Sequence, residues 1–271
     1  MRGMPEWWSD AVRALLASPL GLLIGLSLGA LGGGGSILAV PALVYAAGQS
    51  ARQATATSLI LVAITSVIGV LPHWKAGRVR WAAGVVFSAA GVGGSLLGSH
   101  WNEAVDPNVL LLAFSGVMFV AAWAMWRRLR RSPVGATGVR TEVRLDVATA
   151  VKVAAAGTAV GLMTGFFGVG GGFVIVPALV LALGFTMPEA AATSLVVITI
   201  NSLVALSTRL QGGNIAWGAV IPFTVASLIG VVLGGRLAGR GNPAALQRWF
   251  VGLLVVVAAY TAIKSGTSLA G

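Results

Sequence analysis

Two stretches decide how this chain is read. One is Gly165-Phe-Phe-Gly-Val-Gly-Gly-Gly-Phe-Val-Ile-Val-Pro-Ala-Leu179, and the other is Gly29-Ala-Leu-Gly-Gly-Gly-Gly-Ser-Ile-Leu-Ala-Val-Pro-Ala-Leu43. Their spacing is constant, since 168 − 32 = 136 and 177 − 41 = 136. The same offset pairs Thr57-Ser58-Leu59 with Thr193-Ser194-Leu195, Ser66 with Ser202, and Trp81 with Trp217. It also pairs Gly98 with Gly234 and Pro107 with Pro243. A gapless register of about a hundred residues makes the chain two copies of one unit.

A run of glycines breaks a helix, because each costs about 1 kcal/mol of helix propensity against alanine. In lipid the freed backbone groups must face protein or a water-filled cavity. Paired interruptions in matching halves point to a transporter's binding site. Scattered glycines such as Gly91, Gly93, Gly94 and Gly98 read instead as close helix packing.

The 271 residues are 57% apolar and 9% charged, with a mean hydropathy of +0.91. A soluble domain carries about 25% charged residues. The chain therefore reads as an all-α polytopic protein of the cell membrane, with the lipid bilayer as its surroundings. The net charge of +11 sits in short segments between apolar runs, which sets membrane orientation and does not suggest nucleic acid. There is no cysteine, so disulfides and thiol chemistry are excluded. No residue set suggests a cofactor, a metal site or an enzyme: no helix carries a His-Glu-x-x-His spacing and no P-loop is present.

Five segments follow from the pattern. Residues 1–17, with Trp7 and Trp8, form an interfacial lead-in; 18–126 are the first repeat and 147–264 the second. Residues 127–146 are a basic linker expected on the cytoplasmic side, and 265–271 are a tail. In each repeat a glycine-broken helical hairpin precedes three spans, in copy one Ala54–Leu71, Ala82–Ser99 and Asn108–Trp126. The apolar runs beside the tracts, such as Leu20–Leu31 and Val153–Phe167, are short against the ~20 residues a crossing needs. Re-entrant hairpins leave three crossings per half and inverted repeats; single kinked spans leave four and parallel repeats. We expect inversion. The balance of basic residues does not choose between the two, and the oligomeric state stays open, a homo-oligomer included.

A broken helix offers unpaired N–H groups and partial positive charge at its restart, which is an anion site. The restarts lie at Ser36 and Gly172, so the candidate substrate-binding residues are Gly33, Gly34, Gly35, Ser36, Gly170, Gly171 and Gly172. Polar side chains at matching positions of the next span join them: Thr57, Ser58, Thr193, Ser194 and Asn201. Thr65 and Ser66 share the face of Ser58, Asn201 and Ser202 share that of Ser194, and Thr199 lies in the same span. The competing reading is that such hydroxyls bond back to their own helix. Leucine at Gly35 or Gly171 is expected to abolish flux and leave insertion intact.

Thr186 with Glu189, and Ser50 with Gln53, have the spacing of a capping box. Glu189 is thereby explained without a proton-coupling role. Arg52 and Arg209 read as snorkelling, and His73 and His100 as interfacial loop-edge residues.

The duplicated G-x-G-G-G-x-x-x-V-P-x-L, followed by A-x-x-T-S-L, resembles the sulfite exporter TauE/SafE family of membrane permeases. Copy two carries it as Gly168-Val-Gly170-Gly171-Gly172-Phe-Val-Ile-Val176-Pro177-Ala-Leu179, then Ala190-Ala-Ala-Thr193-Ser194-Leu195. Copy one departs with Gly33 and Ser36. The resemblance covers roughly residues 19–264 and implies a secondary transporter of small anions, with sulfite, sulfonates or related sulfur compounds as substrates and export as direction. A passive anion channel or a membrane scaffold are the alternatives.

Overall fold

The computed structural model describes residues 18–45, 48, 51–102, 107–131, 147–167, 172–209 and 217–270. The described residues form ten α-helices and one short 3-10 turn. In the first half these are α1 (Ser18–Leu31), the 3-10 turn Gly32–Gly35, α2 (Ser36–Tyr45), α3 (Ala51–Lys75), α4 (Trp81–Asn102) and α5 (Pro107–Arg131). The second half has α6 (Val147–Phe167), α7 (Gly172–Leu181), α8 (Met187–Arg209), α9 (Trp217–Arg240) and α10 (Pro243–Ala270). The offset of 136 recurs in the helix ends: Ser36 and Gly172, Ala51 and Met187, Trp81 and Trp217, Pro107 and Pro243 all open helices. The same sequence signals therefore start the same elements twice.

Six described helices are long and apolar enough to cross a membrane: α3, α4, α6, α8, α9 and α10. The run before the second tract is longer than the apolar stretch from Val153 suggests. Helix α6 begins at Val147 and has 21 residues, because Lys152 is exposed and does not interrupt it. Helices α2 and α7 have only 10 residues each, about half a crossing. Large apolar side chains such as Leu96, Val120, Ile221 and Val256 are exposed, an outer surface suited to lipid.

The halves interlock through exchanged helices. Helix α4 packs along α6, and α1 along α9. Both seams are built from small residues, which let backbones approach closely. A Cβ at Gly161 would land on the Gly91 carbonyl, and one at Gly165 on that of Ser95. At the equivalent places a Cβ at Gly25 would land on the Ser227 carbonyl, and one at Gly29 on that of Val231. Ser227 adds a hydrogen bond across the seam, donating to the Gly21 carbonyl at 2.8 Å. The packing expectation holds for Gly91, Gly94 and Gly98; Gly93 faces open space.

Equivalent helices meet head to tail. Gly69 of α3 lies against Leu195 of α8, and Arg80, just after α3, reaches Glu189 at the start of α8. Gln247, early in α10, donates to the Met125 carbonyl, late in α5, at 2.9 Å. Phe114 of α5 meets Phe173 of α7 edge to face at 4.8 Å, tying the outer pair to the centre. Helix α5 runs on to Arg131, so the first arginines of the basic segment ride on its last turns. There Arg130 lies 4.0 Å over Trp126 and Arg127 5.1 Å over Trp123. The lead-in 1–17 and residues 132–146 lie outside the described residues.

Gly161→Leu is expected to destabilise the protein by at least the ~1–3 kcal/mol typical of overpacking, read as a lower thermal unfolding midpoint in detergent. Gly93→Leu, in open space, should leave it unchanged.

Candidate functional site

Helix α1 stops because four glycines follow it, all of them buried. Gly32 has φ +67°, a left-handed conformation that glycine adopts freely and side-chain-bearing residues avoid. Stopping the helix frees two backbone groups that an unbroken helix would pair with each other: the Gly29 carbonyl and the Gly33 N–H. Both are paired elsewhere. Gly33 N–H donates to Ser194 Oγ of α8 at 3.1 Å. His73 Nε2 donates to the Gly29 carbonyl at 2.9 Å. That contact fixes the tautomer, since a carbonyl only accepts, and it leaves Nδ1 3.5 Å from Arg78.

The chain then restarts as α2 at Ser36, whose hydroxyl donates to the Gly33 carbonyl at 2.7 Å. The restart of α7, Gly172, lies directly against it. A side chain at Gly172 would strike the Ser36 hydroxyl, and one at Gly33 would strike the Gly172 carbonyl. The two helix N-termini, at equivalent positions of the two copies, thus meet in the interior. Gly168 to Gly171, including the candidates Gly170 and Gly171, lie outside the described residues.

The remaining candidates divide. Thr193 and Ser194 are fully buried and act across the halves: Thr193 Oγ1 accepts from the Arg80 backbone N–H at 3.2 Å. Ser194 also donates back to the Ala191 carbonyl at 2.8 Å. Thr65 and Thr199 bond back to Leu61 and Leu195 at 2.6 and 2.8 Å, so for them the packing reading holds. Thr57 Oγ1, Ser66 Oγ and Asn201 Oδ1 are buried and have no hydrogen-bond partner among the described residues. Ser58 is buried.

A cavity of about 320 Å³ opens between α3, α4, α6, α7 and α8. Asn201 and Ser202 line it, with Ser95 and Thr164 opposite, and Gly157 and Gly161 among its walls. Ile175 and Ile198 form part of its wall, and Ile198 stands 3.2 Å from where a Cβ of Gly172 would sit. The hollow therefore reaches to within one side chain of the meeting point of the tracts.

Two expectations need correction. His73 is not an interfacial loop residue: it sits in the last turn of α3, wholly buried, because the broken α1 needs a donor there. Leucine at Gly35 would not leave the fold intact, since even a Cβ would overlap the backbone of Ile24 and Leu28. Glu189 caps α8 as its spacing predicts, accepting from Thr186 N–H at 3.1 Å and Thr186 Oγ1 at 2.9 Å. The sequence reading missed its second partner, Arg80, at 2.6 Å. His100 is exposed, and the side chains of Arg52 and Arg209 lie outside the described residues.

Ser194→Ala and His73→Leu each strand a buried backbone group. Each should lower stability in detergent by about 1–3 kcal/mol. Thr199→Val removes only a bond within its own helix and should cost under about 1 kcal/mol by the same thermal measurement.

Comparison with known proteins places this architecture. A probable membrane transporter protein of Xylella fastidiosa strain Temecula1 is 34% identical over 253 residues, covering 92% of this chain and 95% of that one. The probable membrane transporter protein YunE of Bacillus subtilis is 26% identical over 247 residues, covering 85% and 86%. A third, MJ0441 of Methanocaldococcus jannaschii, is 25% identical over 248 residues, covering 84% and 87%. No solved structure matches. The pattern of one family, described as Sulfite exporter TauE/SafE, matches residues 17–261. Matched over most of its length, the chain belongs to the sulfite exporter TauE/SafE family of multi-pass membrane transporters.

Proposed function

We propose that this protein is a secondary transporter that exports small oxyanions, sulfite or small sulfonates, by alternating access. The observation that carries this reading is the meeting of two helix N-termini, at Ser36 and Gly172, inside a membrane protein. Each terminus brings N–H groups and about half a positive elementary charge. Two of them together attract an anion without a fixed arginine in the site. The amide of Asn201 and the hydroxyl of Ser202 supply further hydrogen bonds from the adjoining cavity.

We infer further that the halves are inverted. The support is the head-to-tail course of equivalent helices, α3 against α8 and α5 against α10. Inverted halves exchange roles when one rocks against the other, so the pathway faces the two sides of the membrane in turn. The substrate class follows the family's description, Sulfite exporter.

Purified protein in liposomes tests this. Sulfite, thiosulfate and small sulfonates should move with saturable kinetics, and preloading the far side with the same anion should accelerate them. No flux with any of these anions overturns the substrate class, and non-saturating flux assigns a pore instead. Asn201→Leu should raise the half-saturation concentration about tenfold, the loss of one hydrogen bond to a charged group. An unchanged value removes Asn201 from the site.

A further inference from the structure

One ion pair breaks the symmetry of the two copies. Arg80 lies in the connection between α3 and α4, and its guanidinium reaches Glu189 at 2.6 Å, with side-chain exposures of 29% and 19%. Its backbone N–H donates to Thr193 Oγ1 at 3.2 Å. The first half is thus fastened to the start of α8 by one charged and one neutral contact. Nearby, the same connection supplies Arg78 to His73, which holds the broken end of α1.

The second copy keeps the threonine, as Thr57, but lacks the charged parts of this device. At the offset of 136, Arg80 becomes Ala216 and Glu189 corresponds to Gln53, so no ion pair can form. Lys75 and Arg78 likewise become Gln211 and Asn214. The cavity opens further along the same helices, from their middle toward their other ends. It is lined by Phe87 to Leu96 of α4 and Ile198 to Ala205 of α8. At 1.5 Å per residue, that is about 13–24 Å along α8 from Glu189. The charged fastening sits at one end of α8, and this cavity opens beyond its middle.

We propose that the Arg80–Glu189 pair is a one-sided latch, which holds the path shut on its own face and biases the resting protein toward opening at the cavity face. This rests on the transporter reading above. In an inverted repeat the two outward states would otherwise be near mirror images of equal standing. A contact present in only one of them shifts the balance by its own worth. It is broken and remade once per cycle, so it also sets the cost of turning over.

The lack of native cysteine makes thiol labelling a direct test. Three single reporters in liposomes are probed with a membrane-impermeant maleimide: Lys75→Cys on the latch face, Ser95→Cys in the cavity and Ala190→Cys buried beneath the pair. Ser95→Cys should label from the compartment opposite to Lys75→Cys, while Ala190→Cys stays silent. Adding Glu189→Gln should raise Ala190→Cys labelling roughly tenfold from the Lys75 side. Where that variant fails to insert, Arg80→Gln carries the same expectation. The exchange Arg80→Glu with Glu189→Arg should return labelling toward the parental rate. Thr186→Ala, which removes the helix cap and spares the pair, should not change it. Labelling of Ser95→Cys from the Lys75 side, or Ala190→Cys labelling that ignores both neutral variants, overturns the latch. A thiol is read here and no anion, so failure to find the transported anion leaves this result standing on its own.

Discussion

A helix interrupted inside a membrane protein leaves amide and carbonyl groups that lipid cannot satisfy. At Gly32–Gly35 that constraint dictates the surroundings. The freed Gly33 N–H takes Ser194, and the freed Gly29 carbonyl takes His73. Each partner comes from a different helix, so the break is a junction of α1, α3 and α8. The glycines then allow what side chains would forbid, the direct approach of Gly33 to Gly172. The polar centre of the molecule and the interlocking of its halves have one cause.

Duplication supplies most of the architecture and divergence supplies its polarity. The seams of α1 with α9 and of α4 with α6 repeat one small-residue pattern. Three of the hydroxyl positions recur unchanged, Thr57, Ser58 and Ser66 with Thr193, Ser194 and Ser202, while the position of Thr65 in α3 is held by the amide Asn201 in α8. His73 corresponds to Arg209, and the charged connection after α3 has a neutral counterpart after α8. Nearly equal halves build the frame. The unequal residues give the two ends of α3 and α8 different chemistry.

Much of this was legible in the sequence because it was local or repeated. The glycine tracts, the helix starts at the 136-residue offset and the Thr186–Glu189 cap all rest on neighbouring residues or on a copied pattern. What escaped depends on partners far apart along the chain. His73 beside a basic loop looks interfacial until Gly29, 44 residues earlier, presents a bare carbonyl. Arg80 and Glu189 are 109 residues apart, and each has an ordinary local explanation. The full length of α6 was not visible in its apolar run because Lys152 interrupts the run, whereas it is exposed on a continuing helix. The clash hidden at Gly35 needed the actual return of the chain past Ile24 and Leu28.

The exchanged pairing of α1 with α9 carries a consequence for biosynthesis. The hydrogen bond between Ser227 and Gly21 joins residues 206 apart. A ribosome adding about 5–20 residues per second takes roughly 10–40 s to cover that distance. For that interval the first helix waits in or beside the insertion machinery with its small-residue face uncovered and its terminal amides unmatched. Nascent chains stalled before α9 should therefore be the forms most open to capture by membrane chaperones and proteases.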